Sequence, residues 1–168
     1  MATPTTLPAS FTAGQVLTAL QMNNLRGAFC VLQVLYGNYA VQTSSTTTTY
    51  ADTGLTATIT PSSTSSKILV IVQQGGVLKN TGNADQAVMM RLFRGATQIQ
   101  QVSQVGSTNT NSLNIIGTVS MVQLDSPATT SATTYKTQYA SYSNQATAAA
   151  FVQYDNNLSN IILMEISA

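Results

Sequence analysis

The stretch Lys67-Ile68-Leu69-Val70-Ile71-Val72 decides the fold, because it is apolar at five successive positions. Successive side chains of a β-strand point to opposite faces, so Ile68 and Val70 line one face while Leu69 lines the other. β-Branched residues favour extended chain over helix. The stretch therefore predicts a strand that needs cover on both faces.

The same alternation recurs along the chain after Gly27. It predicts strands or strand pairs over 31–43, 50–60, 67–78, 86–102, 113–124, 133–150 and 160–166. Turn-forming residues separate these segments, as in Pro61–Ser66 and Asp125-Ser126-Pro127. Because no helical window intervenes, the sequence predicts an all-β domain over residues 31–168, an antiparallel β-sandwich or jelly roll.

Residues 1–30 differ in pattern from the rest. Two prolines predict an extended arm over residues 1–10, and residues 13–29 form the one helical window. The apolar residues of that window fall on two opposite sides, so the helix either breaks near Asn23-Asn24 or is covered twice. Both alternatives need a partner surface. The predicted docking residues are Phe11, Val16, Leu17, Leu20, Met22, Leu25 and Phe29.

Charge is scarce, at 7% of 168 residues against roughly 25% in an ordinary soluble domain. About a quarter of the chain is Ser or Thr, so solubility depends on hydroxyl and amide groups. With a net charge of +1, the counterion release that drives binding to phosphate backbones is nearly absent, and we expect no nucleic-acid partner. No run approaches the roughly 18 apolar residues of a membrane span, and the N-terminus does not resemble a signal peptide. We expect no membrane partner and synthesis in the cytoplasm.

The inventory of reactive residues favours a protein without catalytic residues, metal or cofactor. The chain has no His, and its single Cys30 has no imidazole to activate it. The five carboxylates are far apart in sequence, so a depolymerase that uses two of them requires that they converge in space.

Strands that are apolar on both faces indicate a homo-oligomer, which we expect to be a trimer. Loops or the N-terminal helix are the alternative cover for the outer face. The predicted interface lies on the C-terminal strand and comprises Ile161, Leu163, Glu165 and Ile166. Glu165 shares a face with Ile161, so its burial requires a cationic or a hydrogen-bonding partner, and an ion pair is the favoured interpretation. The candidate partners are Arg91, Arg94 and Lys136.

Four tyrosines near the C-terminus are candidate glycan contacts. Tyr135 and Tyr139 share one face of a predicted strand, Tyr142 lies on the other face, and Tyr154 follows. Rings with polar tips can stack on a sugar, and they also suit packing beneath loops or at a subunit seam.

Four segments carry a resemblance to a known family. They are Phe11–Thr18, Ile59–Val70, Leu124–Lys136 and Ile162–Ile166. Together they resemble bacteriophage virion proteins, many of them tail-fibre-like, in which such an N-terminus precedes a β-rich domain. The resemblance implies a jelly-roll head like those of trimeric fibres and complement-type globular proteins, and it brings no catalytic residues.

The expected function is therefore that of a non-enzymatic virion structural protein in a tail fibre or tail-associated position. Residues 1–30 would dock onto another virion protein, and residues 31–168 would form the oligomeric head. No coiled-coil heptads or shaft repeats precede the head, so capsid decoration is an open alternative. A host glycan-binding module is another.

Overall fold

The computed structural model describes residues 31–80, 86–108, 116–143 and 149–167, together with positions 13–14, 16, 18–19 and 22. Within these residues the chain forms β1 (Val31–Tyr39), β2 (Thr43–Ser45), β3 (Ala51–Ile59), β4 (Lys67–Lys79), β5 (Gln86–Arg94), β6 (Thr97–Thr108), β7 (Gly117–Asp125), β8 (Thr133–Ser141), β9 (Ala150–Val152) and β10 (Ser159–Ile166). A 3-10 turn at Tyr154–Asn156 precedes β10. Each segment predicted as a strand overlaps at least one of these strands, so the predicted all-β fold is confirmed.

The strands form two antiparallel sheets. The first sheet has the order β1, β10, β4, β7, and β9 and β2 extend it beyond the end of β4. The second sheet has the order β3, β8, β5, β6. The three-residue strands β2 and β9 are set aside here, and the eight remaining strands are counted in chain order. One sheet then has the order 1-8-3-6 and the other has the order 2-7-4-5. This strand order is that of a jelly roll, which confirms the predicted architecture.

The hydrophobic core lies between the two sheets. Ile68, Val70 and Val72 of β4 are fully buried and pack in one cluster with Val88 and Met90 of β5. Burial of each such side chain stabilises the fold by about 1.5–3 kcal/mol. The other face of β4 points away from this core.

Strand β4 changes partner along its length. Its pairing with β7 shifts between Gln74 and Val77, and beyond that point β4 also pairs with β9. Gly76 lies in this shift with a φ of 59°, and a Cβ atom there would overlap the backbone of Tyr154. Only glycine fits both conditions at this position.

A buried polar network crosses the core. The Thr53 hydroxyl on β3 donates to the Thr137 hydroxyl on β8, and Thr137 donates in turn to Gln74 Oε1 on β4 at 3.0 Å. Gln74 Nε2 donates to Ser159 Oγ on β10 at 2.9 Å. All four residues are buried, so this network joins the two sheets through satisfied hydrogen bonds.

Candidate interaction surface

The outer face of the first sheet presents an ordered array of apolar side chains. One row across its four long strands consists of Val34, Met164, Leu69 and Leu124. The next row consists of Tyr36, Ile162, Ile71 and Val122. We call these eight side chains the apolar face. The two rows are about 7 Å apart, because residues on one face of a strand alternate.

The apolar face is open to solvent in this chain. At its edges Val34 is 53%, Tyr36 56%, Leu124 55% and Val122 57% exposed, while the side chains on β10 and β4 are half-buried. From strand spacing the face covers roughly 250–300 Å². Exposed apolar patches of this size on soluble proteins are often functional.

Polar groups border the apolar face at both ends of the strands. At one end a row of amides and a hydroxyl crosses the sheet, formed by Asn38, Asn160, Gln73 and Ser120. At the other end Lys67 lies beside Ile166, and its ammonium group donates to Ser126 Oγ at 2.7 Å. An apolar centre with a polar rim is the usual anatomy of a protein–protein interface.

The outer face of the second sheet is polar. Lys136 Nζ lies 2.9 Å from an Asp52 carboxylate oxygen, and Gln138 donates to the other oxygen at 2.8 Å. Burial raises the pKa of Asp52, but the hydrogen bonds and charge around it outweigh this and lower the pKa below its ordinary value. Arg91 donates to Gln101 at 3.1 Å on the same side of this sheet. The two outer faces of the sandwich therefore differ in chemistry.

The predicted interface residues of β10 mostly lie on its inner face. Ile161 and Leu163 are fully buried in the core of the same chain, and only Ile166 of the predicted apolar residues points outward. The outward apolar positions are Ile162, Met164 and Ile166, which corrects the predicted set. The sequence showed that both faces of this strand are apolar but did not show which face the core takes. Contact with a second copy through this strand stays a prediction.

Glu165 is buried and accepts its hydrogen bonds from neutral donors. The Ser62 amide and hydroxyl each donate to Oε1 at 2.7 Å, and Gln33 Nε2 donates to Oε2 at 2.5 Å. Burial raises the pKa of Glu165, but these hydrogen bonds more than compensate and lower it to about 2. The carboxylate therefore stays ionised and joins β1, β10 and the loop between β3 and β4.

The predicted ion pair of Glu165 is wrong. Arg94 pairs with Asp125 at 2.8 Å, and Lys136 pairs with Asp52. The third candidate, Arg91, donates to Gln101. Neutral donors replace a cation at Glu165 because the serine-rich loop before β4 brings an amide and a hydroxyl to the same oxygen.

The predicted docking segment falls largely on residues that the structure does not describe. Phe11, Leu17, Leu20, Leu25 and Phe29 lie outside the described residues, as does Cys30. Of the remaining docking residues, Val16 is 87% and Met22 51% exposed. The Met22 amide donates to the Thr18 carbonyl at 3.0 Å, which is the spacing of a helical turn. Docking by this segment stays a prediction.

Two of the four candidate glycan contacts lie in the core. Tyr135 and Tyr139 are buried, so neither ring is available to a sugar, and burial raises the pKa of both hydroxyls. Tyr142 is 39% exposed at the end of β8. Tyr154 packs edge-on against Phe151, with ring centroids 5.4 Å apart. The structure therefore does not bring the four rings together on one surface.

Asp125, Arg94 and Tyr135 form a second polar cluster, in which Asp125 and Tyr135 are buried and Arg94 is partly exposed. Arg94 Nη1 donates to both carboxylate oxygens of Asp125, and the Tyr135 hydroxyl donates to Oδ2 at 2.7 Å. A shallow crevice of about 350 Å³ opens beside Arg94, lined mainly by threonines and Pro127. Arg94 lines this crevice, whereas the Asp125 carboxylate lies outside the lining and is bonded to Arg94 and Tyr135.

Three of the four described carboxylates are each held by their own hydrogen-bond donors. Asp52, Asp125 and Glu165 each have separate partners. Among the residues that the structure describes, no three His, Cys, Asp or Glu side chains come together as metal ligands. In that part of the chain no helix is both long enough and apolar enough to cross a membrane.

The chain matches no protein-family model and no curated protein. Among solved structures it is similar to the infectious bursal disease virus VP2 subviral particle, with 13% identity and a TM-score of 0.45 over 80% of this chain and 32% of that chain. The Gx strain of the same virus gives 13% identity and a TM-score of 0.43, covering 80% and 32%. The Gt strain gives 13% and 0.40, covering 81% and 38%. The chain thus spans about a third of the length of these structures, and likeness at this level carries no functional argument.

Proposed function

We propose that the protein is a non-enzymatic structural component of a bacteriophage virion and assembles as a homo-oligomer. The apolar face carries this proposal. It gathers eight apolar side chains on one outer sheet face, four of them more than half exposed, next to rows of polar groups. A subunit that packs against neighbours covers such a surface, and apolar patches of this kind on soluble proteins are often functional.

The scarcity of charge supports the same role. With 7% charged residues and a net charge of +1, copies of the chain repel one another weakly and tolerate close packing. Jelly rolls occur in viral capsids but also in lectins and cupins, so the fold is compatible with this role without selecting it. The resemblance of Ile59–Val70 and Leu124–Lys136 to phage virion proteins favours the virion among these.

Within the virion, the resemblance favours a tail-fibre or tail-associated position, and decoration of the capsid lattice is the alternative. Residues 1–30 are the proposed attachment to another virion protein. Synthesis in the host bacterial cytoplasm is part of the same proposal. A glycan-binding role is not favoured, because Tyr135 and Tyr139 are buried.

The experiment is to purify phage particles from a producing culture and to locate the protein with immunogold labelling. Label on the tail supports the tail position, and label over the head supports decoration. Particles that contain none of the protein by quantitative mass spectrometry would overturn the virion role.

A truncation lacking residues 1–27 tests the attachment, because it leaves every described strand intact. The truncated protein is expected to fold and to be missing from particles, while the full chain is incorporated. Incorporation of the truncated form at the level of the full chain would contradict attachment by the N-terminal segment.

A further inference from the structure

We propose that two copies of this chain pair through the apolar face, related by a two-fold axis that crosses the strands between its two rows. This pairing deepens the proposed function, on which it rests for its biological setting, because it names the partner that covers the face. Two-fold contacts are the commonest closed contacts between identical chains, and they require a surface that is complementary to itself.

The distribution of charge favours a second copy as the occupant. All eight side chains of the apolar face are uncharged, and so are the four of the adjoining amide row. In the row at the opposite end, β4 contributes the charged Lys67 and β10 contributes Ile166 beside it. Two copies joined through this face therefore meet no like-charge repulsion at its centre.

The position of Lys67 selects the axis. An axis across the strands reverses their direction, so the row that contains Lys67 lies over the amide row of the second copy. Lys67 then meets Gln73 of that copy, whose side-chain oxygen can accept a hydrogen bond. An axis along the strands would instead bring the two Lys67 ammonium groups close together.

The same operation matches the apolar rows. Val122 of one copy lies over Leu124 of the other, and Tyr36 lies over Val34. The row that contains Leu124 in one copy therefore faces the row that contains Val122 in the other, at the roughly 10 Å spacing of packed sheets. The two apolar rows with their flanking rows cover roughly 500 Å² per copy, or about 1,000 Å² in total, which reaches the lower limit of specific interfaces.

The N-terminal segment of the same chain is the other occupant within reach, since it enters the first sheet at Val31. Its described apolar side chains, Val16 and Met22, are 87% and 51% exposed and so are not seated on the apolar face.

Sedimentation of the full chain at increasing concentration tests the pairing. The wild type is expected to convert from monomer to dimer. Val122→Lys and Leu124→Glu each place a charge in the contact, and each is expected to weaken the dimer at least tenfold, or about 1.4 kcal/mol. The matched control is Thr58→Lys, which changes an exposed position on an edge strand of the second sheet and should leave the dimer unchanged.

Mixing the two variants tests the axis. The proposed two-fold places Lys at 122 against Glu at 124 in a mixed dimer, so the mixture is expected to associate more tightly than either variant alone. If a variant proves poorly folded by circular dichroism, Val34→Lys and Tyr36→Glu on the opposite edge form an equivalent pair. A mixture no tighter than its components overturns the axis.

A wild-type chain that stays monomeric, or that forms trimers insensitive to these substitutions, overturns the pairing. Both outcomes are independent of the virion role, because sedimentation uses the purified chain and immunogold labelling uses whole particles. A paired chain missing from particles would remove the virion role and leave the interface standing.

Discussion

Asp125 and Glu165 flank Ile68 on the same inner row of the first sheet, yet the protein holds these two carboxylates by different means. Asp125 receives a cation, Arg94, and a phenol, Tyr135. Glu165 receives the amide and hydroxyl of Ser62 and the side chain of Gln33. A buried charge can thus be stabilised by an opposite charge or by converging neutral dipoles, and the second arrangement depends more on each donor staying in place.

The largest effect is expected for Glu165→Leu. This substitution removes the carboxylate that accepts from the Ser62 amide, the Ser62 hydroxyl and the Gln33 side chain. Because a hydrogen bond to a charged group contributes about 1.5–3 kcal/mol, the free energy of unfolding should fall by about 4 kcal/mol. Equilibrium unfolding in urea measures the loss. Ile162→Leu, an outward change on the same strand, is the control and should cost less than about 1 kcal/mol. Equal losses in the two variants would show that the dipole arrangement contributes nothing specific.

The pH dependence of stability is expected to come next in size. The pKa of Glu165 is about 2 when folded and about 4.5 when unfolded, so the ionised carboxylate stabilises the fold fully above pH 4.5. That stabilisation, on the order of 3 kcal/mol, is lost as the pH falls from 4.5 towards 2. Urea unfolding at a series of pH values measures the slope. In Glu165→Gln the slope should be markedly smaller, and an unchanged slope would assign the acid sensitivity to other groups.

Tyr135→Phe tests the Asp125 side of the comparison. It removes one donor from a carboxylate that keeps Arg94, so the free energy of unfolding should fall by about 1–2 kcal/mol. Thermal unfolding measures this change. The control is Tyr142→Phe, at a ring that is 39% exposed, and it should shift stability by less than about 0.5 kcal/mol. A loss as large as that of Glu165→Leu would mean that Arg94 gives Asp125 no advantage.

The smallest effect is expected at the exposed pair of Asp52 and Lys136. A double-mutant cycle with Asp52→Asn and Lys136→Gln should give a coupling of less than about 1 kcal/mol, because both side chains are partly in solvent. The coupling should fall further in high salt. A coupling above about 2 kcal/mol would contradict this expectation, because it would mean that the exposed pair stabilises the fold as strongly as the contacts of the buried carboxylates.

The sequence predicted the strands and the sandwich well, because the period-two pattern survives along nearly the whole chain. Apolar residues at both parities of Lys67–Val72 correctly indicated a strand with two apolar faces. The pattern could not tell which parity faces the core, since Ile161 and Ile162 are chemically equivalent. The predicted interface on β10 was therefore placed mostly on the buried side.

The polar partners were harder to predict than the fold. Asp125 and Arg94 are 31 residues apart, and Ser62 and Glu165 are 103 residues apart, so only the strand order brings them together. Tyr135 and Tyr139 were candidate glycan contacts, with packing beneath loops or at a subunit seam as the alternative, and Thr137 between them resembles ordinary strand surface. Thr137 is instead a buried member of the network with Gln74, so this face of β8 lies in the core and not at the surface.

The Gln74 network also limits how the two sheets can dock during folding. A slip of one residue in β4 would turn Gln74 outward and leave the hydroxyls of Thr137 and Ser159 without acceptor or donor in a dry core. Aliphatic residues lie on both faces of β4, so apolar packing alone would tolerate this register shift. The four hydrogen-bonding side chains therefore destabilise misaligned structures that apolar packing alone would not disfavour, and in this way they specify the register of β4.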